Sequence, residues 1–92
     1  MIKSFNHKGL ENFYKTGSTK GIQAIHANKI SRILAVLDAM SELNDLNSPA
    51  YRLHPLTGNL KGLWAVTVQA NWRITFKFKN ENVYIVDYQD YH

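Results

Sequence analysis

The chain is 92 residues long, 45% hydrophobic, with eleven Lys and Arg against seven Asp and Glu and no cysteine. One domain spanning 1–92 fits that length and buries roughly 60 to 65% of its unfolded surface, leaving room for one core and one site. Without thiols there is no disulfide framework or thiolate metal site; no segment nears the roughly 20 apolar residues of a membrane span; and the net charge of +4 favours a polyanionic partner.

The start, MIKSFNHKGLENF, lacks the apolar run of a signal peptide, so a soluble, cytoplasmic protein with no membrane association is expected. Ile2 to Phe5 has the apolar ends of a short strand, and Leu10, Phe13 and Tyr14 recur at helical spacing up to Gly17. The stretch TGSTKG, Thr16 to Gly21, concentrates turn formers and reads as a connection. From Gln23 to about Asn44, Ile30, Ile33, Leu34, Leu37 and Met40 form one apolar stripe, with Lys29, Arg32 and Asp38 off it, predicting an amphipathic helix. His26 is expected as a solvated first-turn side chain, because no His, Asp or Glu stands at the i+4 position of a helical metal pair. The run LNDLNSP then ends the helix, since Asn, Asp and Ser compete for backbone bonds and Pro49 disfavours helical geometry before it.

Beyond the loop RLHPLTGNLKG the period changes to two. Trp64, Val66 and Val68 alternate with Ala65, Thr67 and Gln69; Trp72, Ile74, Phe76 and Phe78 alternate with Arg73, Thr75, Lys77 and Lys79. Ala70 and Asn71 make a tight reversal, and the polar turn KNEN leads into a third strand with Val83, Ile85, Val86 and Tyr88, giving a three-stranded meander. The helical stripe covers one sheet face and leaves the other partly open.

That other face carries the candidate chemistry. Arg73, Thr75 and Lys77 point the same way at spacing two, so Arg73 meets substrate or solvent and its guanidinium can hold a phosphate through two parallel bonds. The plainer reading is an exposed arginine guarding a strand edge. His54, beside Pro55 and near Gly58, sits on a fixed backbone path, and imidazole exchanges protons near neutral pH. If the last strand stays paired to residue 88 or beyond, Asp90 and His92 reach the same rim as Arg73, and Tyr91 offers a stacking plane for a base. His54, Asp87, Asp90 and His92 are metal-ligand types, but no spacing demands a metal and none is expected.

The stretch YRLHPLTGNLKGLWAVTVQANWRITFKF with the ending VDYQDYH resembles the HigB toxins of bacterial toxin-antitoxin pairs, within the wider RelE toxin family; MIKSFNHKGLENFY is similar as well. The specific parts are Leu53-His54-Pro55-Leu56, Asn71-Trp72-Arg73-Ile74-Thr75-Phe76 and Asp90-Tyr91-His92. The resemblance implies an α+β, RelE-like fold: a curved, mainly antiparallel sheet with two N-terminal helices packed on one face. It implies a ribosome-dependent endoribonuclease that cuts messenger RNA in the A site of the 70S ribosome, uses no metal or organic cofactor, and is neutralised by a HigA-like helix-turn-helix antitoxin through which alone it meets operator DNA. His54, Arg73, Asp90 and His92 fall on positions implied for catalysis, and Tyr91, Lys61, Thr57 and Lys77 on the RNA-binding side. One position departs: many relatives read HPLKG where this chain reads His54-Pro55-Leu56-Thr57-Gly58, so Thr57 replaces a lysine and Lys61 is the nearest substitute.

The expected reaction is attack of a ribose 2′-hydroxyl on the adjacent phosphate, giving 2′,3′-cyclic phosphate and 5′-hydroxyl ends. One of His54 and His92 is the base and the other the acid, Asp90 orients its partner, and Arg73 holds the phosphorane. A ParE-like toxin that inhibits DNA gyrase needs no acid-base pair and is the first alternative; a nonspecific basic RNA-binding protein is the second.

Overall fold

The computed structural model describes residues 1–91. Two helices precede the sheet: α1 is Lys8–Thr16 and α2 is Ala27–Ala39. His7 caps α1, its Nδ1 accepting from the Leu10 N–H at 2.9 Å, and Gly17 ends it in the left-handed conformation at φ +80°, its N–H returning to the Phe13 carbonyl. α2 is shorter than the apolar stripe predicts. Ala24–His26 and Leu43–Leu46 are 3-10 turns, and Met40 is already extended at ψ 147°.

The sheet has four antiparallel strands in the order β1-β2-β3-β4: His54–Pro55, Trp64–Gln69, Trp72–Lys79 and Asn82–Asp90. The predicted meander is β2 to β4. Its two-residue turns fall at Ala70-Asn71, between the Gln69↔Trp72 pair, and at Asn80-Glu81, between Lys79↔Asn82. Asn80 and Glu81 both have positive φ (52° and 64°), the hand that matches strand twist in a tight hairpin. What periodicity could not supply is β1, two residues long, pairing His54 with Ala65 and Pro55 with Trp64. The predicted N-terminal strand is reduced to two parallel bridges, Ile2↔Val83 and Phe5↔Val86, on the outer edge of β4.

The core lies between helices and sheet. Leu10 of α1 and Ile30, Ile33, Leu34 and Leu37 of α2 pack with Val66, Val68, Ile74, Phe76, Val83, Val86 and Tyr88. Each such aliphatic side chain contributes about 1.5–3 kcal/mol on burial, so the helical layer fixes which sheet face turns inward. The N-terminal segment is tied to α2 as well, the Ile2 N–H donating to Asp38 Oδ1 at 2.9 Å.

One close approach sets the path between the helices. A Cβ on Gly9 would stand 2.6 Å from the Gly21 Cα, and one on Gly21 would stand 2.4 Å from the Gly9 Cα. Backbone meets backbone there, and only glycine fits. Gly9→Ala and Gly21→Ala are each expected to lose about 1–3 kcal/mol of unfolding free energy in urea titrations; full stability in both would show that the connection yields freely.

Candidate active site

Strand pairing assigns the second face row by row, since directly opposed residues point the same way. His54, Ala65, Thr75 and Asp87 form one row across all four strands. Thr67, Arg73 and Gln89 form the next, and Lys77 with Tyr84 a third beyond a one-residue shift in β4. Ideal strand spacings put the His54 and Arg73 Cα atoms roughly 12 Å apart, two strands across and two residues along. Both residues stand on the same face of the sheet by register.

The floor of the face is closed. Ala65 and Thr75 are buried, and Arg73 itself is only 9% exposed. The expectation of an arginine open to solvent, or guarding an edge, is therefore corrected: β3 is flanked by β2 and β4, and the Tyr91 ring lies over the guanidinium, 4.0 Å from Cζ to ring centroid. The cation–π contact contributes about 1–2 kcal/mol in such a shielded place. It leaves Arg73 Nε buried with no hydrogen-bond partner among the described residues. A buried donor without an acceptor is costly, and an anionic oxygen would satisfy it. Tyr91 is held by its own N–H, which donates to the Asn71 carbonyl at 2.7 Å, and it remains 60% exposed.

His54 is exposed, but its ring is oriented. Nδ1 lies 2.7 Å from the Arg52 carbonyl oxygen, and a carbonyl can only accept. Nδ1 therefore carries the proton, and Nε2 of the neutral ring keeps a free lone pair. Arg52 takes a left-handed φ of 51° to make this turn. Beyond β1 the Leu56 N–H donates to the Leu63 carbonyl and closes the loop 56–63, within which Gly58–Leu60 is one 3-10 turn. Thr57 and Lys61 flank that turn, both exposed, so the lysine returns to the vicinity of the threonine.

The last strand stays paired as far as Asp90. Asp90 pairs with Trp72 rather than Arg73, and so stands on the side of Tyr88 at the end of β4. Parity counted from Tyr88 carries that signal in the sequence. Asp87 and Gln89, not singled out from spacing, do share Arg73's face: Asp87 Oδ2 accepts from Gln89 Nε2 at 2.9 Å. His92, the remaining candidate, lies outside the described residues. Among the described residues no three His, Cys, Asp or Glu side chains gather as a metal site requires, and no helix is long and apolar enough to cross a membrane.

On the inner side the expectation for His26 fails. It is 5% exposed, and its Nδ1 is 2.6 Å from the Tyr88 hydroxyl. The 3-10 turn before α2 swings the ring inward onto β4. Burial, first, and the Asp90 charge raise the Tyr88 pKa above the ordinary 10.0, against a lowering by the Gln23 N–H.

An antiparallel sheet with helices packed on one face is a fold shared with solved structures of low sequence identity. YafQ from E. coli superposes with a TM-score of 0.65 at 17% identity over 98% of this chain and 91% of that one, and the YoeB dimer from Staphylococcus aureus with 0.62 at 15% over 99% and 94%. The RelE-like toxin of type II toxin-antitoxin system HigB is the family whose pattern matches residues 3–92. Endoribonuclease HigB of Proteus vulgaris is 48% identical over 92 residues, the full length of both chains, and Toxin HigB-1 of Vibrio cholerae is 34% identical over 80 residues, 85% of this chain and 84% of that protein. The chain belongs to the RelE-like HigB toxins of type II toxin-antitoxin systems.

Two outcomes follow from this geometry. Because the Arg73 cation is buried and incompletely bonded, Arg73→Met should unfold at an equal or higher urea concentration than the parent; a loss of more than about 2 kcal/mol would show that the guanidinium supports the fold. Tyr88 contributes stability that is complete below pH 10 and lost as the pH rises through its raised folded pKa, since the unfolded chain ionises first. Tyr88→Phe should flatten that alkaline decline in urea titrations run from neutral pH upward.

Proposed function

We propose that this toxin is a ribosome-dependent endoribonuclease that cuts messenger RNA in the ribosomal A site. The observation that carries the reading is Arg73: nine-tenths buried, one donor unsatisfied, capped by an exposed aromatic ring, and on the same face as an oriented histidine. Such a group awaits an anion beside a planar base. The 48% identity to a protein named Endoribonuclease HigB supports an RNA phosphodiester as that anion.

The tautomer of His54 divides the labour. Its free Nε2 takes the proton of the ribose 2′-hydroxyl while O2′ bonds to phosphorus. Arg73 stabilises the extra charge of the phosphorane, the bond to O5′ breaks, and His92 returns a proton to that oxygen, leaving 2′,3′-cyclic phosphate and 5′-hydroxyl ends. Asp90 orients the catalytic tail, Tyr91 stacks on a base, and Lys77 and Lys61 meet neighbouring phosphates with Thr57 beside them. No metal or organic cofactor enters the reaction. The toxin acts in the cytoplasm and is restrained by a HigA-like helix-turn-helix antitoxin, which supplies the only link to operator DNA.

Purified protein, programmed 70S ribosomes and a defined messenger test the reading. Cleavage should require the ribosome, Arg73→Ala should slow it about 10²–10³-fold, and a messenger lacking the 2′-hydroxyl at the cut position should survive. Deleting Asp90 to His92 should abolish cutting and leave the fold intact. Cutting of the deoxy substrate would exclude the mechanism, and intact messengers with collapsed plasmid supercoiling would point instead to a gyrase-directed toxin.

A further inference from the structure

The helix side of β4 carries a buried polar cluster that the proposed chemistry does not use. Tyr88, 4% exposed, stacks on Trp72 with ring centroids 4.6 Å apart and an interplanar angle of 28°. His26 stands edge-on to both rings, at 5.7 Å from Trp72 and 6.0 Å from Tyr88, and His7, the cap of α1, meets Tyr88 edge-on at 5.5 Å. The Gln23 N–H donates to the Tyr88 hydroxyl at 3.3 Å, and His26 Nδ1 is hydrogen-bonded to the same oxygen at 2.6 Å, the imidazole tautomer setting which of the two donates. One phenol at the end of the sheet is thereby tied to the entry of α2 and touched by the cap of α1.

We infer that His26 is a positioning residue: through Tyr88 it sets the end of β4 and so holds Tyr91 over Arg73. The strand makes the link short. Tyr88 and Trp72 face the helices, while their chain neighbours Gln89 and Arg73 pair across the other face. Parallel pairing by the N-terminal segment stops at the Asn6 N–H to Val86 carbonyl bond, so beyond residue 86 the described ladder runs to β3 alone. There the described backbone has one partner strand, and the buried phenol–imidazole bond fastens Tyr88 close to the tail. An aliphatic residue at 26 would fill the space but leave the buried Tyr88 hydroxyl without its imidazole partner.

The activity arm of the test rests on the proposed function; the exchange arm does not. His26→Phe and Tyr88→Phe keep ring-sized packing and remove one partner each, and His26→Gln restores a hydrogen-bonding partner. Hydrogen exchange at the Tyr91 amide should accelerate about tenfold in both Phe variants, with the core amides of Ile74 and Val86 unchanged, and His26→Gln should recover most of the protection. Single-turnover cleavage on programmed ribosomes should fall by a similar factor in rate, with the half-saturating toxin concentration within twofold of the parent. Unchanged Tyr91 exchange overturns the inference, as does equal loosening of the core amides or global unfolding in all three variants. A parent protein that cuts no messenger sinks the nuclease reading and leaves the exchange result to decide this one.

Discussion

The pairing register of β3 with β4 is the constraint on which both faces of this molecule depend. Trp72 opposes Asp90 and Arg73 opposes Gln89, so the same strands give the helices Trp72, Ile74 and Tyr88 and give the site Arg73, Thr75 and Asp87. A slip of one residue would exchange the two sets and put a guanidinium into the core. The register is pinned at both ends. The Asn80-Glu81 turn tolerates no extra residue, and a bulge near Ile85, at φ 49°, absorbs the residue that β4 has in excess. That φ is strained for a β-branched side chain, and the Ile85 N–H donates to Ser4 Oγ, which secures it.

The same register makes a costly site. Burying a cation with an unsatisfied Nε works against folding, and the fold accommodates it by covering the guanidinium with Tyr91 and surrounding it with short residues such as Thr75 and Ala65. An exposed arginine would meet a phosphate in competition with water. A shielded one offers an oriented, poorly hydrated donor, which is worth more to a developing negative charge. His54 is exposed and therefore cheap to maintain, its ring oriented by a bond to the Arg52 carbonyl and its backbone held by the short pairing of β1 with β2.

The parts of this design that follow from local pattern were legible in the sequence. Period two gave β2, β3 and the shared direction of Arg73, Thr75 and Lys77; the apolar stripe gave α2 and its inward face; the motif resemblance gave the family. What pattern missed depends on long-range packing. His26 is polar, lies at the first turn of a helix and has no partner nearby in sequence, yet it is hydrogen-bonded to Tyr88 sixty-two residues away. The burial of Arg73 depends on the ring of Tyr91: parity gives that residue's side of the strand, but only the folded chain lays the ring over the guanidinium. β1 is too short to show a period, and the N-terminal segment bridges to β4, at the other end of the chain, which no local pattern reveals. For Asp90 the alternation from Tyr88 already gives the strand side that its pairing with Trp72 shows.

Uneven support along β4 connects these observations. Up to Val86 the strand has backbone partners on both edges, N-terminal segment outside and β3 inside; from Asp87 the described ladder runs to β3 alone. A strand end paired on one side opens at lower free energy than the core. On the proposed reading that softness serves the site, because Tyr91 could shift to admit a base while Arg73 stays on the central strand. Softness without a limit would lose the geometry. Side-chain contacts on opposite faces set the limit, among them Tyr88 to His26 within the core and Tyr91 over Arg73 in the site, so the strand end is held between a buried tether and its own target.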